Sequence, residues 1–117
     1  MPRIDLLPIA NLLLPEVLVT YFKLVNHKTQ SEELHFYFEE HNELPKEYKK
    51  GEATSKGFYK EITLQDFPIR GKQVYLHIKR RRWQDNSTGS IVTRDWDLVA
   101  KGTRITKEFA TFLKQIN

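Results

Sequence analysis

Alternation of apolar and polar residues predicts a series of strands through the middle of the chain. Residues 34–38 place Leu and Phe at every second position and predict a strand with one buried face. Residues 58–64 resume the pattern, and residues 73–78 repeat it more clearly. The last of these segments runs directly into Lys79-Arg80-Arg81-Arg82-Trp83, the cationic run. One long basic strand is therefore predicted over residues 72–83.

A turn and a returning strand are predicted after the cationic run. Residues Asp85–Gly89 are rich in side chains that tolerate turn geometry and predict a hairpin turn. Ser90–Val99 is the predicted partner strand. The polar stretch 41–57, with glycines at 51 and 57, predicts a loop.

Helical spacing of apolar residues predicts a helix near each end of the chain. Pro15 suits the first position of a helix, because its φ is fixed and its missing N–H costs nothing there. Thr106 suits the N-cap of a second helix. The apolar face of the first helix comprises Leu14, Val17, Leu18, Tyr21, Phe22 and Val25, and that of the second comprises Ile105, Phe109, Phe112, Leu113 and Ile116. The predicted fold class is α+β, an antiparallel sheet of about four strands with N-terminal and C-terminal helices.

Length and composition indicate a single domain over residues 1–117. The 117 residues are 39% hydrophobic and 12% aromatic, enough for a modest core. No apolar run approaches the roughly 18 residues that a membrane-spanning helix needs. The chain has no cysteine, which removes disulfides and thiolate metal sites and is compatible with a reducing cytoplasm. The predicted location is the cytoplasm, with no membrane partner and no cofactor.

The net charge of +4 is unevenly distributed. Residues 1–50 contain 6 Lys+Arg against 8 Asp+Glu, whereas residues 51–117 contain 13 against 7. The cationic run divides its charges between the two faces of the predicted strand. Because such a strand end is costly to bury, we expect it at an exposed edge that faces an anion. Nucleic acid is the polyanion that this pattern favours.

Metal binding and catalysis are both disfavoured by the residue pattern. The only soft ligands are His27, His35, His41 and His77, and none stands at a ligand-pair spacing such as HxH or HxxxH. Asp95 and Asp97 share a predicted strand face, but salt bridges to neighbouring arginines explain them more simply than a magnesium site. No nucleophile with a positioned base and no Gly-rich phosphate loop is present.

A basic patch is the strongest functional prediction from the residues themselves. The adjoining strands and the turn after them are expected to gather seven DNA-binding cations, which are Lys79, Arg80, Arg81, Arg82, Arg94, Lys101 and Arg104. Such a patch provides phosphate affinity without sequence readout. The alternative is that these cations form an ordinary solvated strand end. Trp83 and Trp96 are expected to pack in the core rather than to stack on bases.

The motifs around the cationic run resemble the N-terminal region of bacterial insertion-sequence transposases, in particular the ISAon type of Bacteroidetes. A broader resemblance, over residues 57–113, is to the zinc-ribbon N-terminal region of DDE transposases. There, Asp-x-Pro-x-x-Gly precedes a strand that ends in Arg-Arg-aromatic, and Gly-x-Arg-x-Thr opens a helix. The matching residues are Asp66, Pro68, Gly71, Arg81, Arg82, Trp83, Gly102, Arg104 and Thr106.

This resemblance implies a degenerate, metal-free zinc-ribbon-like hairpin, because the zinc cysteines of the broader family are absent. It also implies that a separate reading frame supplies the DDE catalytic domain. The leading hypothesis is a non-catalytic DNA-binding module, N-terminal or accessory, that contacts element ends. The alternative is a protein-interaction module that docks on the DDE catalytic subunit with little DNA contact, favoured by the apolar N-terminal residues Leu6, Leu7, Ile9, Leu12, Leu13 and Leu14.

Overall fold

A computed structural model describes residues 16–97 and 111–114, without the side chains of residues 16, 17 and 67. The described chain begins with a short helix, α1 (Glu16–Tyr21), and continues through seven strands. The strands are β1 (Phe22–Gln30), β2 (Glu33–Glu40), β3 (Ala53–Phe58), β4 (Ile62–Ile69), β5 (Lys72–Lys79), β6 (Arg81–Asp85) and β7 (Ile91–Val92).

Four of these strands form the larger sheet, in the order β1-β2-β5-β4. The β1–β2 and β5–β4 pairs are antiparallel, whereas β2 and β5 run parallel. The register places Phe38 opposite Ile78, which in turn lies opposite Ile62. Apolar positions of three strands therefore meet in rows on one face of this sheet.

The hydrophobic core covers that face of the larger sheet. Trp96 stacks on Phe22 with ring centroids 5.5 Å apart, so the segment after β7 packs back onto the start of β1. The buried core comprises Leu18, Phe22, Phe38, Ile62, Val74, Leu76, Ile78, Trp96 and Leu113. Full burial of one such side chain contributes about 1.5–3 kcal/mol. The core therefore anchors α1, the larger sheet and the described C-terminal residues to one another.

The smaller sheet has the order β3-β6-β7 and contains the predicted hairpin turn. Gly89 N donates to Asp85 O at 2.8 Å, and Asp85 Oδ1 accepts the backbone N–H groups of Ser87 and Thr88. Hydrogen bonds from Ser87 and Thr88 lower the pKa of Asp85 to about 2. The turn at Asp85–Gly89 is thus confirmed, with a carboxylate that holds it closed.

The predicted long basic strand is wrong, because the chain breaks at Arg80 and the two halves enter different sheets. Arg80 follows the inward positions Val74, Leu76 and Ile78 and is buried. In β6 the alternation restarts one residue out of step, so that Trp83 is buried and Arg82 is exposed. In place of one long strand with cations on both faces, the chain passes at Arg80 from the larger sheet to the smaller sheet.

The α+β prediction is also wrong, because more than half of the described residues lie in strands and the helices there are short. The predicted N-terminal helix ends at Tyr21, and the chain pairs as β1 from Phe22 onward. β3 lies within the predicted loop, and β2–β5 is a parallel pair rather than antiparallel. Most of the predicted C-terminal helix lies outside the described residues. Its described part includes residues 111–113, which are helical. Among the described helices, none has the length and apolarity to span a membrane.

Leu76→Ala tests the position of this core. We expect the free energy of unfolding in urea to fall by about 2–5 kcal/mol, because Leu76 is fully buried at the centre of the larger sheet. The matched control on the same strand is Gln73→Ala, at an exposed position, which should change it by less than about 0.5 kcal/mol. Equal effects of the two substitutions would contradict this core.

Candidate nucleic-acid interface

Five of the seven predicted DNA-binding cations lie within the described residues and separate into three groups. Arg80 and Arg94 are buried, Lys79 and Arg81 are half-buried, and Arg82 is exposed. Lys101 and Arg104 lie outside the described residues. The described members of the predicted patch therefore do not share one surface.

Arg94 forms a buried ion pair with Glu40. Its Nε donates to Glu40 Oε2 at 2.8 Å, and the Glu40 side chain is fully enclosed. Arg94 Nη2 donates to the Glu43 carbonyl. Burial raises the pKa of Glu40, and the hydrogen bond from Arg94 opposes that shift. A guanidinium with this many internal partners is unsuited to contact with DNA phosphate.

Three aromatic rings surround the same guanidinium. Arg94 Cζ lies 5.1 Å from the ring centroid of Tyr21, 5.5 Å from that of Trp83 and 6.0 Å from that of Trp96. Both tryptophans are buried, which confirms that they pack rather than stack on bases. Trp83 also donates from Nε1 to Asn42 Oδ1 at 3.0 Å. The ion pair is thus enclosed by rings from α1, β6 and the segment after β7.

Arg81 ties the end of β2 to the smaller sheet. Its backbone N–H donates to Glu40 Oε1 at 2.9 Å, and its Nε donates to Glu40 O at 3.1 Å. Its Nη1 donates to Ser55 Oγ at 2.7 Å, and the guanidinium lies 4.4 Å from the Phe58 ring centroid. Arg81 therefore has a structural role, although part of its side chain reaches solvent.

Arg80 is a buried cation without an ion-pair partner among the described residues. Its Nη1 donates to Leu113 O at 2.9 Å, while Nε and Nη2 have no hydrogen-bond partner in the part of the chain that the structure describes. The guanidinium lies 5.4 Å from the Tyr59 ring centroid. Burial lowers the pKa of Arg80, and Tyr59 and Glu40 oppose that shift. Arg80 is inaccessible to phosphate in this arrangement.

Arg82 belongs to an exposed group of three cations, which we call the Lys56–Lys60–Arg82 cluster. Arg82 Nε donates to the Lys56 carbonyl at 3.0 Å, so the two residues are neighbours across the β3–β6 pair. The guanidinium lies 6.0 Å from the ring centroid of Tyr59, and Lys60 follows Tyr59 in the chain. All three cations are exposed, and none forms an ion pair within residues 16–97 and 111–114.

The pattern of residues did not single out Lys56 and Lys60 as functional, because both were placed in or near a predicted loop. Their local signal is the glycine between them. Gly57 has a φ of +83° and lies within the β-bulge that spans Ser55 to Phe58. A bulge adds an unpaired residue to one strand and redirects its side chains. Here it lies directly opposite Arg82.

Lys79 ends β5 on the outer face of the larger sheet. Its register partner on β2 is Glu39, so a carboxylate stands beside it. Lys79 is half-buried and makes no ion pair within 4.0 Å among the described residues. The neighbouring acid makes Lys79 a weaker anion contact than the exposed cations on β3 and β6.

The opposite end of the smaller sheet contains a hollow with acidic residues in its lining. This hollow, of about 370 Å³, is lined by seven residues, which are Glu47, Tyr48, Gly51, Glu52, Asp85, Asn86 and Ser87. Tyr48 donates its hydroxyl to Asp85 Oδ2 at 3.0 Å, and this hydrogen bond raises the pKa of Tyr48. The lining of this hollow thus contains three carboxylic acids and no cation, although exposed lysines at 46, 49 and 50 lie in the same loop.

Of the two candidate carboxylates on the predicted strand, Asp97 forms an exposed ion pair with Lys114 at 3.1 Å. Over the described residues, no three His, Asp or Glu side chains are grouped to hold a metal ion. Comparison of the chain with protein-family models, curated proteins and solved structures found no match.

Arg80→Met tests whether the buried Arg80 destabilises the folded state. Methionine fills a similar space without the two unpartnered guanidinium nitrogens, so we expect the free energy of unfolding to rise by about 1–2 kcal/mol. Arg82→Met is the matched control at an exposed position and should change it by less than about 0.5 kcal/mol. Both values follow from urea unfolding. Marked destabilisation by Arg80→Met alone would show that Arg80 stabilises the folded state and would contradict this prediction.

Proposed function

We propose that the chain is a non-catalytic DNA-binding module, N-terminal or accessory, of an insertion-sequence transposase that acts in the cytoplasm. The motif resemblance at residues 57–83 and 102–106 supports the transposase context. The observation that carries the DNA-binding proposal is the exposure of Lys56, Lys60 and Arg82, none of which forms an ion pair with a carboxylate of the described residues. Phosphate groups attract such unpaired cations regardless of base sequence.

The geometry of Arg82 suits a phosphate contact. Its Nε is held by the Lys56 carbonyl and its guanidinium lies near Tyr59, so the side chain is positioned before a ligand arrives. Its two Nη groups have no hydrogen-bond partner among the described residues. A planar guanidinium with free Nη donors binds phosphate oxygens in a bidentate manner. Lys56 and Lys60, both exposed, add two further cations close to Arg82 and Tyr59 in the chain or across the strand pair.

This cluster supports positioning on the DNA backbone rather than base readout. The Tyr59 ring faces the guanidinium groups of Arg80 and Arg82, and its hydroxyl contacts Thr93 Oγ1 at 2.5 Å. The ring is thus occupied and is not offered to a nucleobase. Specificity for element ends, in this proposal, comes from the catalytic subunit or from other parts of the complex.

Salt dependence of duplex binding tests this proposal. The affinity of the full chain for a fluorescent DNA duplex is measured by anisotropy over a series of salt concentrations. Each phosphate contact contributes about 0.9 to the slope of log affinity against log salt. The double variant Lys56→Ala/Arg82→Ala should therefore lower the slope by roughly 2.

A charge-matched control separates local contact from net charge. Lys46→Ala/Lys50→Ala removes the same two charges from the loop before β3. This variant should leave the slope within about 0.5 of the parent value. No duplex binding at low salt, or equal loss of slope in both double variants, would overturn the proposal.

A second function is supported by the acidic hollow, which repels DNA and favours a basic protein surface. In that case the chain docks on a separately encoded DDE catalytic subunit and touches DNA little. Co-purification with that subunit should then be weakened by Glu47→Gln/Glu52→Gln and unaffected by Lys56→Ala/Arg82→Ala. The reverse pattern would exclude this function.

A further inference from the structure

Two histidines meet on the outer face of the larger sheet, away from the Lys56–Lys60–Arg82 cluster. His35 lies on β2 and His77 on the adjacent strand β5, with His35 Nδ1 2.8 Å from His77 Nε2. The ring centroids are 5.1 Å apart and the ring planes differ by 19°. Such a separation results when two imidazoles meet nitrogen to nitrogen, so the rings lie edge to edge and share one hydrogen.

The neighbours of this pair determine where its hydrogens lie. Glu33 Oε1 is 3.0 Å from His35 Nε2, and a carboxylate accepts, so His35 Nε2 is the donor. A neutral His35 then has Nδ1 as an acceptor, and His77 Nε2 donates to it. His77 Nδ1 is left as an acceptor for the Thr63 hydroxyl at 3.1 Å. Every ring nitrogen of the neutral pair is thereby satisfied.

One added proton fits this arrangement without breaking it. Glu61 Oε2 lies 3.4 Å from His77 Nδ1, so in the neutral pair a carboxylate faces a lone pair. A proton on His77 Nδ1 replaces that repulsion with an attraction to Glu61, and the hydroxyl of Thr63 turns to accept. The bond between His77 Nε2 and His35 Nδ1 is retained.

A second proton has no place in the pair. It must go to His35 Nδ1, which would set two N–H groups head to head across 2.8 Å. We propose that His35 and His77 form an acid-sensitive latch between β2 and β5, which holds at most one added proton while the sheet is folded. The protonation of the two rings is thus coupled to the pairing of β2 with β5, the only parallel strand pair in the described sheets.

Charged and titratable groups from every neighbouring strand face this latch. The Tyr37 ring stacks on His77 at 4.4 Å, and the Tyr75 ring stacks on His35 at 5.0 Å. Lys28 of β1 covers the Tyr37 ring at 5.6 Å. Further groups on the same face are Glu33, Glu39, Glu61 and Lys79. Burial lowers the pKa of His77, Glu61 opposes that shift, and His35 and Lys28 add to it.

The direction of the pH effect follows from proton counting. An unfolded chain protonates both histidines below about pH 6.5, whereas the folded pair holds one proton or none. The contribution of the latch to stability is therefore complete above about pH 6.5 and is lost as the pH falls. Each extra proton on the unfolded chain lowers the folding equilibrium constant about tenfold per pH unit.

Urea unfolding at pH 7.5, 6.5 and 5.5 tests the latch without DNA. His35→Gln keeps a donor for Glu33 and an acceptor for His77 but takes up no proton. The folding equilibrium constant of the parent chain should fall about fivefold more between pH 6.5 and pH 5.5 than that of His35→Gln. His27→Gln is the matched control, because His27 is exposed on β1, and it should follow the parent chain.

Ring NMR titration of the folded chain provides a measurement that does not depend on variant stability. We expect His77 to titrate alone and His35 Nδ1 to remain unprotonated down to the onset of acid unfolding. In His77→Gln, the remaining His35 ring should titrate. Full protonation of both rings in the folded parent chain, or the same pH dependence of stability in His35→Gln, would overturn the latch. Neither result bears on DNA binding.

Discussion

The buried ion pair between Glu40 and Arg94 is the contact on which the arrangement of the two sheets depends. Glu40 ends β2 of the larger sheet, and its carboxylate also accepts the backbone N–H of Arg81, the first residue of β6. Two buried charges in a protein interior are tolerated only when each is paired and hydrogen-bonded. Rings of Tyr21, Trp83 and Trp96 enclose the Arg94 guanidinium and exclude water. The pair therefore fixes how β6 leaves β5.

Because of this ion pair, the clustered arginines differ in role: some are bonded inside the protein and one is exposed. Arg81 and Arg94 are held by Glu40, and Arg80 is enclosed against Leu113, so none of the three is a free surface cation. Arg82 alone of the cationic run is exposed, and the cations grouped with it are Lys56 of β3 and Lys60 of the link between β3 and β4. Among the described residues, the exposed cations of this region are thus fewer than a count of basic residues implies.

Period-two patterns predicted β2 and β5, because each of these strands has one buried face. The turn after β6 was predicted from its turn-forming residues. The patterns did not predict the break at Arg80, because residues 79–82 are all cations and carry no alternation that would mark the end of β5; tertiary pairing decides it. The helix-like spacing of Leu18, Phe22 and Val25 likewise concealed β1, because its strand pairing with β2 overrides a weak local preference. One signal was available and unused. Glu40 continues the inward series of β2, and a buried glutamate requires a cation.

A double-mutant cycle on Glu40 and Arg94 tests this account most directly. Glu40→Gln and Arg94→Met should each lower the free energy of unfolding by about 3–5 kcal/mol, since each leaves its partner as an uncompensated buried charge. The double variant should be more stable than the sum of the two losses predicts, with a coupling of at least about 2 kcal/mol. Losses that add to within about 0.5 kcal/mol would show that the pair does not join the two sheets.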